Sequence, residues 1–200
     1  LGELDLEAQE RAIRPAAPGT RKVVLATNIA ETSLTIEGIG AVVDSGLARR
    51  ARFDPASGMS RLETVRVSHA SAEQRCGRAG RLGPGICYRL WSEGAQESLE
   101  AATPAEILEA DLAPLALELA AWNVSDPRQL KWLDPPAQAP YEQARGLLRD
   151  LEALDAEGRI TSAGREMLEL RVHPRLAHML LRARELELDG EACDLAALLS

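Results

Sequence analysis

Two kinds of hydrophobic patterning divide the chain near residue 100. Before it, apolar residues come in short runs between glycine, proline and hydroxyl-rich breaks; after it, they recur at helical spacing. Asp5 predicts a capped helix through about Arg14, broken by Pro15 to Gly19 (PAAPG). Arg21 to Thr27 (RKVVLAT) and Ala41 to Asp44 (AVVD) are compact apolar runs and predict two buried parallel strands. Between them lies the polar stretch Asn28 to Gly40, where the carboxyl end of a strand opens into a ligand crevice in α/β sheets. Arg49 to Asp54 and Arg61 to Ser68 alternate about Pro55, Ser57 and Gly58, which predicts a β-hairpin. Ser71 to Gln74 (SAEQ) fits a capping box for a helix from about Ala72 to just before Gly83-Pro84, and Gly85 to Trp91 returns as a strand.

The second half predicts helices. Thr103-Pro104 opens an amphipathic helix through about Trp122, Ser125 to Lys131 forms a shorter one, and Tyr141 to Leu154 a third, with apolar residues at 144, 147, 148, 151 and 154. Glu157-Gly158 turns into Arg159-Ile160-Thr161, a wing-sized strand, before Ser162 to Leu170 and His173 to Leu188 resume as helices. Three helices and a wing make a winged-helix order. The expected division is an α/β domain over 1–100, a winged helix over 101–171 and the start of a helical bundle over 172–200.

The net charge of −8 argues against a phosphate-binding protein until its distribution is read. Residues 41–90 hold nine arginines against four acids; residues 91–200 hold ten basic residues against twenty-one acids. The first segment can face phosphate, and the second is mostly solvated surface. An apolar fraction of 46% with 27% charged residues is ordinary for a globular chain, and no apolar run reaches the roughly 18 residues of a membrane span. A cytoplasmic location is the expectation. Cys76, Cys87 and Cys193 form no CxxC pair, and His69, His173 and His178 lack partners at ligand spacing, so no metal site is expected.

The sharpest chemical signal is Gln74 to Arg81 (QRCGRAGR). Glycine costs a helix about 1 kcal/mol against alanine, so Gly77 and Gly80 imply that a backbone or ligand approaches there. On a helix, Gln74, Arg78 and Arg81 would share one face, with Arg75 at its edge. Arginine suits phosphate through its planar fork of donors and permanent charge. An arginine finger of this kind is worth roughly 10³ to 10⁵ in phosphoryl-transfer rate. The same residues also fit a surface helix of ion-paired arginines, and context has to decide.

That context is Ala26 to Ile36 (ATNIAETSLTI) followed by Val42 to Gly46 (VVDSG). With QRCGRAGR and the arginine-bearing hairpin between them, the pattern closely resembles the second RecA-like domain of DEAH-box ATP-dependent RNA helicases of the bacterial HrpB type, from Leu1 to about His178. ATNIAETSLTI resembles helicase motif V, and QRCGRAGR motif VI. The resemblance implies that Arg78 and Arg81 are fingers reaching the γ-phosphate of ATP and that Gln74 positions the attacking water or a phosphate. It implies that Thr27 and Asn28 touch the nucleic-acid backbone, and that Thr35 and Glu37 lie near the nucleotide, Glu37 toward its ribose or metal side. Most relatives have Asp where Glu37 stands, which weakens that carry-over. Gly77 and Gly80 would leave room at the nucleotide, and the hairpin arginines, Arg50 and Arg52 among them, would serve as a wedge or gate on the strand. Glu31, Thr32 and Ser33 read equally as local caps.

The sequence contains no GxxxxGK(S/T) phosphate loop and no DExH carboxylates to hold Mg²⁺. With its start at Leu1, shortly before motif V, the chain is expected to be part of a longer polypeptide whose first RecA-like domain provides both. Alone it should not hydrolyse ATP. Single-stranded RNA is the expected partner, with DNA not excluded. The alternative reading is a non-catalytic winged-helix nucleic-acid binder, but Arg145 and Arg149 lie among Glu142, Asp150 and Glu152, a poor composition for a groove-reading helix.

Overall fold

The Asp5 side chain accepts a hydrogen bond from the Ala8 amide at 2.7 Å and so starts helix α1, Leu6–Ile13, as its sequence predicts. A computed structural model describes residues 5–32, 36–54, 58–81 and 83–199. The chain divides into two units, Leu1–Pro104 and Ala105–Ser200.

In the first unit, Arg21 to Thr27 is not the buried strand its apolar run predicts. Among the described residues no strand lies beside it, and Val23 and Leu25 stand 85% and 87% exposed, so the run has neither a ladder nor a core to hold it. It leads into a single helical turn, α2, Ile29–Thr32, which the polar sequence gave no sign of. Strand β1, Ala41–Asp44, follows as predicted. Strands β2, Leu47–Asp54, and β3, Met59–Arg66, pair antiparallel from Leu47 opposite Arg66 to Asp54 opposite Met59, so the hairpin is present, with β2 starting two residues before its alternating segment and β3 both starting and ending two residues before its own. Pro55 and Ser57 lie outside the described residues.

Helix α3 runs over His69–Cys76 and not from Ala72, because Ser68 and not Ser71 is its cap: the Ser68 hydroxyl accepts from the Ser71 amide at 3.1 Å. Strand β4, Ile86–Arg89, pairs parallel with β1, Ala41 opposite Ile86 through Asp44 opposite Arg89. A Cβ on Gly85 would overlap the Ala79 carbonyl, so glycine is what lets β4 pass the end of motif VI. Gly46, at φ +73°, likewise sits where a Cβ would meet the Trp91 ring at 2.7 Å. Helix α4, Glu93–Glu97, closes the unit after Trp91, whose indole donates to Gln96 at 2.8 Å. The three cysteines are free thiols; burial, then the neighbouring Cys76, push Cys87 up to about 11, and it stays protonated.

In the second unit the single helix expected from Thr103 to Trp122 is two pieces. A 3₁₀ turn at Glu106–Leu108 precedes helix α5, Ala113–Ala121, because Pro114 lacks an N–H and is confined to a first turn. The expected helix at Ser125 to Lys131 is one 3₁₀ turn, Pro127–Gln129, capped by Asp126. Helix α6, Gln138–Asp150, and helix α7, Ser162–Glu169, are present, with the predicted wing between them reduced to one bridge, Leu154 to Ile160. Helices α8, Pro174–Glu185, and α9, Asp189–Leu199, complete the unit. Its core joins Leu117 and Leu119 of α5, Tyr141, Ala144 and Leu148 of α6, Met167 of α7 and Ala177 of α8.

Two helix starts in this unit share one hydrogen-bonded pair. Asp111 accepts from the Ala113 amide at 2.8 Å, capping α5, and its other oxygen meets His173 Nε2 at 2.8 Å; His173 Nδ1 accepts from the Arg175 amide at 3.2 Å, capping α8. Burial pushes the Asp111 carboxyl up, but the bonds from His173 and Ala113, with the Arg175 charge nearby, outweigh it and hold the group below its ordinary value. A depressed carboxyl stabilises the fold fully above the ordinary aspartate range and loses that contribution as pH falls through the lowered value. Asp111→Asn is therefore expected to lower unfolding free energy by about 1 to 2 kcal/mol at pH 7, and the gap should narrow as pH falls toward 3. Urea denaturation at both pH values checks this; an equal gap at both would remove Asp111 as the titrating group.

Candidate functional site

Motif VI does not form the continuous helix face expected of it. α3 ends at Cys76, Gly77 is its C-cap, and residues 77–80 continue as tight turns, with the Arg78 amide bonded to the Arg75 carbonyl at 3.1 Å and the Ala79 amide to Cys76 at 3.2 Å. Two weak helix formers within four residues account for the stop. Gln74 is exposed on the last turn of α3, Arg78 is half-buried just beyond it, Ala79 is buried beneath, and Arg81 is exposed. A Cβ on Gly80 would meet nothing within 4 Å, and one on Gly77 only ordinary contacts at 3.5 Å. The room those glycines leave opens to solvent beside the two arginines. An exposed amide and two guanidiniums along an open edge fit a polyphosphate.

Motif V lies on the other side of α3. Thr27 and Asn28 are exposed at the entrance to α2, and Glu37 is exposed in a turn before Gly38. Thr35 and Ser33 lie outside the described residues. Glu31 is not a local cap. Its Oε2 accepts from the Ser71 hydroxyl at 2.6 Å and from Arg75 Nε at 3.0 Å, forty and forty-four residues away. The same guanidinium donates through Nη1 to Asp44 Oδ1 at 3.0 Å and to the Leu47 carbonyl at 3.1 Å. Asp44, 4% exposed, also accepts from the Gly46 amide at 2.9 Å, which shapes the VVDSG turn. Sequence reasoning missed this junction; the one signal was an arginine within motif VI that no phosphate role required. From its other side α3 is tied to β4 by Glu73 and Arg89, 2.6 Å apart, and the Arg89 bond lowers the Glu73 carboxyl.

A cavity of about 300 Å³ lies where motif V, the base of the hairpin and α3 meet. Asn28, Arg50, Arg66, Ser71 and Arg75 line it. It brings together two of the expected strand contacts, Asn28 and Arg50, but Thr27 and Arg52 are not among its walls, nor are Gln74, Arg78 and Arg81. Arg52 stands farther out on the hairpin, 3.9 Å from Glu63, where seven of the eight β3 residues from Met59 are exposed. The described residues contain no cluster of His, Cys, Asp and Glu able to hold a metal, and no helix among them is long and apolar enough to cross a membrane.

Comparison with known proteins agrees with these elements. Residues 1–83 match the helicase conserved C-terminal domain, and residues 144–172 match the helicase-associated winged-helix domain, HA2. The chain is 50% identical over 198 residues to ATP-dependent RNA helicase HrpB of Escherichia coli, covering 99% of the chain and 24% of that protein. It is 44% identical to the pre-mRNA-splicing factor ATP-dependent RNA helicase prp22 of Schizosaccharomyces pombe, covering 98% of the chain and 17% of that protein. A crystal structure of the Escherichia coli DEAH/RHA helicase HrpB superposes with a TM-score of 0.92 at 49% identity, covering all of the chain and 25% of that structure. The chain thus spans about a quarter of HrpB's length and less of prp22. The parallel pair β1–β4 belongs to a RecA-like α/β domain, and α6, the bridge and α7 to a winged helix. The chain thus holds a helicase conserved C-terminal domain followed by a helicase-associated winged helix, and over its whole length it is similar to DEAH-box helicases of the HrpB type.

Proposed function

We propose that this chain is the second RecA-like half, with its winged helix, of a cytoplasmic motor that couples ATP hydrolysis to translocation along single-stranded RNA. One observation carries the reading: α3, whose last turn presents Gln74 just before the turns that hold Arg78, is pinned through Arg75 to α2, the helix that follows Asn28. Candidates for phosphate contact and for strand contact thus flank one rigid junction. In the motor, a first RecA-like domain provides the phosphate loop and the Mg²⁺-binding carboxylates. ATP with Mg²⁺ supplies the γ-phosphoryl group whose transfer to water drives the cycle.

The residues of this chain complete that site from across the cleft. Arg78 and Arg81 place positive charge where negative charge grows on the γ-phosphate, and Gln74 orients water or a phosphate oxygen. Gly77 and Gly80 leave space beside the phosphates, and Thr35 and Glu37 approach the rest of the nucleotide. Thr27 and Asn28 hold the strand backbone by neutral hydrogen bonds, while Arg50 and Arg52 add charge from the hairpin. Residues 101–171, the winged helix, and 172–200, the start of a helical bundle, border the strand path. The acidic charge of this half suits a wall and not a duplex-reading surface.

The test compares the purified chain with a polypeptide carrying both RecA-like domains. The chain alone is expected to show no ATP hydrolysis, and the two-domain protein hydrolysis stimulated by single-stranded RNA. Hydrolysis by the chain alone that disappears with Arg78→Ala would overturn the divided site; a two-domain protein equally active with and without RNA would overturn the motor. Stimulation by single-stranded DNA alone would reassign the substrate.

A further inference from the structure

The phosphate and strand roles leave Arg75 unused, although its side chain bonds to three other segments of the chain. Its guanidinium is 16% exposed and reaches three separate segments at once: Glu31 in α2, Asp44 at the end of β1 and the Leu47 carbonyl at the start of β2. Only a planar fork with donors on several edges makes such a set of bonds. Ser71, one turn earlier on α3, adds a second bond to the same Glu31 oxygen. The assembly is not screened surface pairing, since the Glu31 and Asp44 side chains are 16% and 3% exposed.

Position gives these bonds a consequence. Glu31, Ser71 and Arg75 form part of the wall of the cavity onto which Asn28 and Arg50 also open. A phosphate held in that cavity by Asn28 and Arg50 shares its wall with the Glu31–Arg75 pair and so lies against the segments that the pair holds together. Beyond Arg75 the chain continues within three residues to Arg78, and the turn bond from the Arg78 amide goes back to the Arg75 carbonyl itself. A shift of α3 against α2 therefore moves the backbone that carries the phosphate-facing arginines.

We propose that Arg75 is a positioning residue that locks motif V to motif VI, so that a single strand held at the cavity sets the placement of Arg78 and Arg81 and thereby stimulates hydrolysis. The inference rests on the motor reading above and deepens it. Arg75 touches neither the nucleotide nor the strand in this role; it acts by holding α2, the end of β1 and α3 in one register.

The experiment uses the two-domain protein with an oligouridine single strand as probe, measuring kcat and KM for ATP with and without it. Arg75→Lys keeps a charge near Asp44 but cannot span all three partners, and Glu31→Gln removes the charge with its shape retained. Each is expected to lower the ratio of stimulated to unstimulated kcat by about tenfold or more with KM for ATP moved less than about threefold. The double variant should lose no more than the worse single one, as members of one unit do. A ratio equal to that of the unsubstituted protein in either folded variant overturns the inference, as does a rise in KM with the ratio intact. Glu31→Gln decides the matter if Arg75→Lys unfolds at assay temperature. Absence of stimulation in the unsubstituted protein would instead sink the motor reading itself.

Discussion

Arg78→Ala in the two-domain protein is expected to lower kcat for RNA-stimulated ATP hydrolysis by about 10³ or more, and Arg81→Ala to follow with a loss of similar order. Both side chains leave the chain just after α3 ends, one half-buried over the buried Ala79 and one exposed. Charge offered there from a folded turn needs no reorganisation as the γ-phosphate oxygens gain charge, which is why its loss falls on kcat more than on KM. Arg78→Lys should recover little, because a point charge cannot reproduce a planar fork on phosphate. Steady-state kinetics at saturating RNA measure the effect. An Arg78→Ala protein that keeps a tenth of the original kcat would leave the finger assignment without support.

How far such assignments were legible in the sequence depended on the length of interaction that makes each element. Local chemistry was readable: Asp5 caps α1, the alternating arginines around Gly58 make the β2–β3 hairpin, and the apolar spacing of Ala144, Leu147, Leu148 and Leu151 makes α6. Arg21 to Thr27 was misread because an apolar run says nothing about whether a neighbouring strand lies beside it. The helix ends of the second unit were obscured for another reason. α5, α6, α7 and α8 are each followed by a left-handed residue that is not glycine: Asn123, Glu152, Arg171 and Glu187, at φ 53° to 57°. The amides of Val124, Ala153 and Leu188 then bond to the Leu119, Leu148 and Ala183 carbonyls at 2.8 to 2.9 Å, closing three of those ends without the usual sequence mark.

The site was legible as two motifs but not as one object. Arg78, Arg81 and Gln74 stood out by type and spacing, yet the helix that was to align them stops at Cys76, so their relation comes from the turns at Gly77 to Gly80. Glu31 offered a cap in the sequence and proved to be an anchor for α3, since partners forty residues away leave no local trace. What joins the motifs is thus a tertiary junction at Arg75, invisible to spacing and conspicuous only when the bonds of one guanidinium are followed to three segments.

Replacing Asn28, Arg50 and Arg52 together by alanine in the two-domain protein should weaken binding of a single strand about a hundredfold at low salt. The two arginines differ in their exposure. Arg50 lies half-buried at the cavity that Asn28 also lines. Arg52 faces Glu63 at 3.9 Å with both side chains well exposed, a pair worth about 1 kcal/mol at most, so it can exchange partners readily. Each phosphate neutralised on a single strand contributes about 0.7 to the slope of log affinity against log salt. Loss of both arginines should therefore flatten that slope by roughly 1.4, whereas Asn28, a neutral contact, should change affinity without changing slope. Titrations of labelled oligouridine at several salt concentrations separate the two contributions, and the affinities of variant and parent should converge as salt rises. A slope unchanged by Arg50→Ala with Arg52→Ala would take the hairpin off the strand path and leave motif V as the grip that this chain contributes.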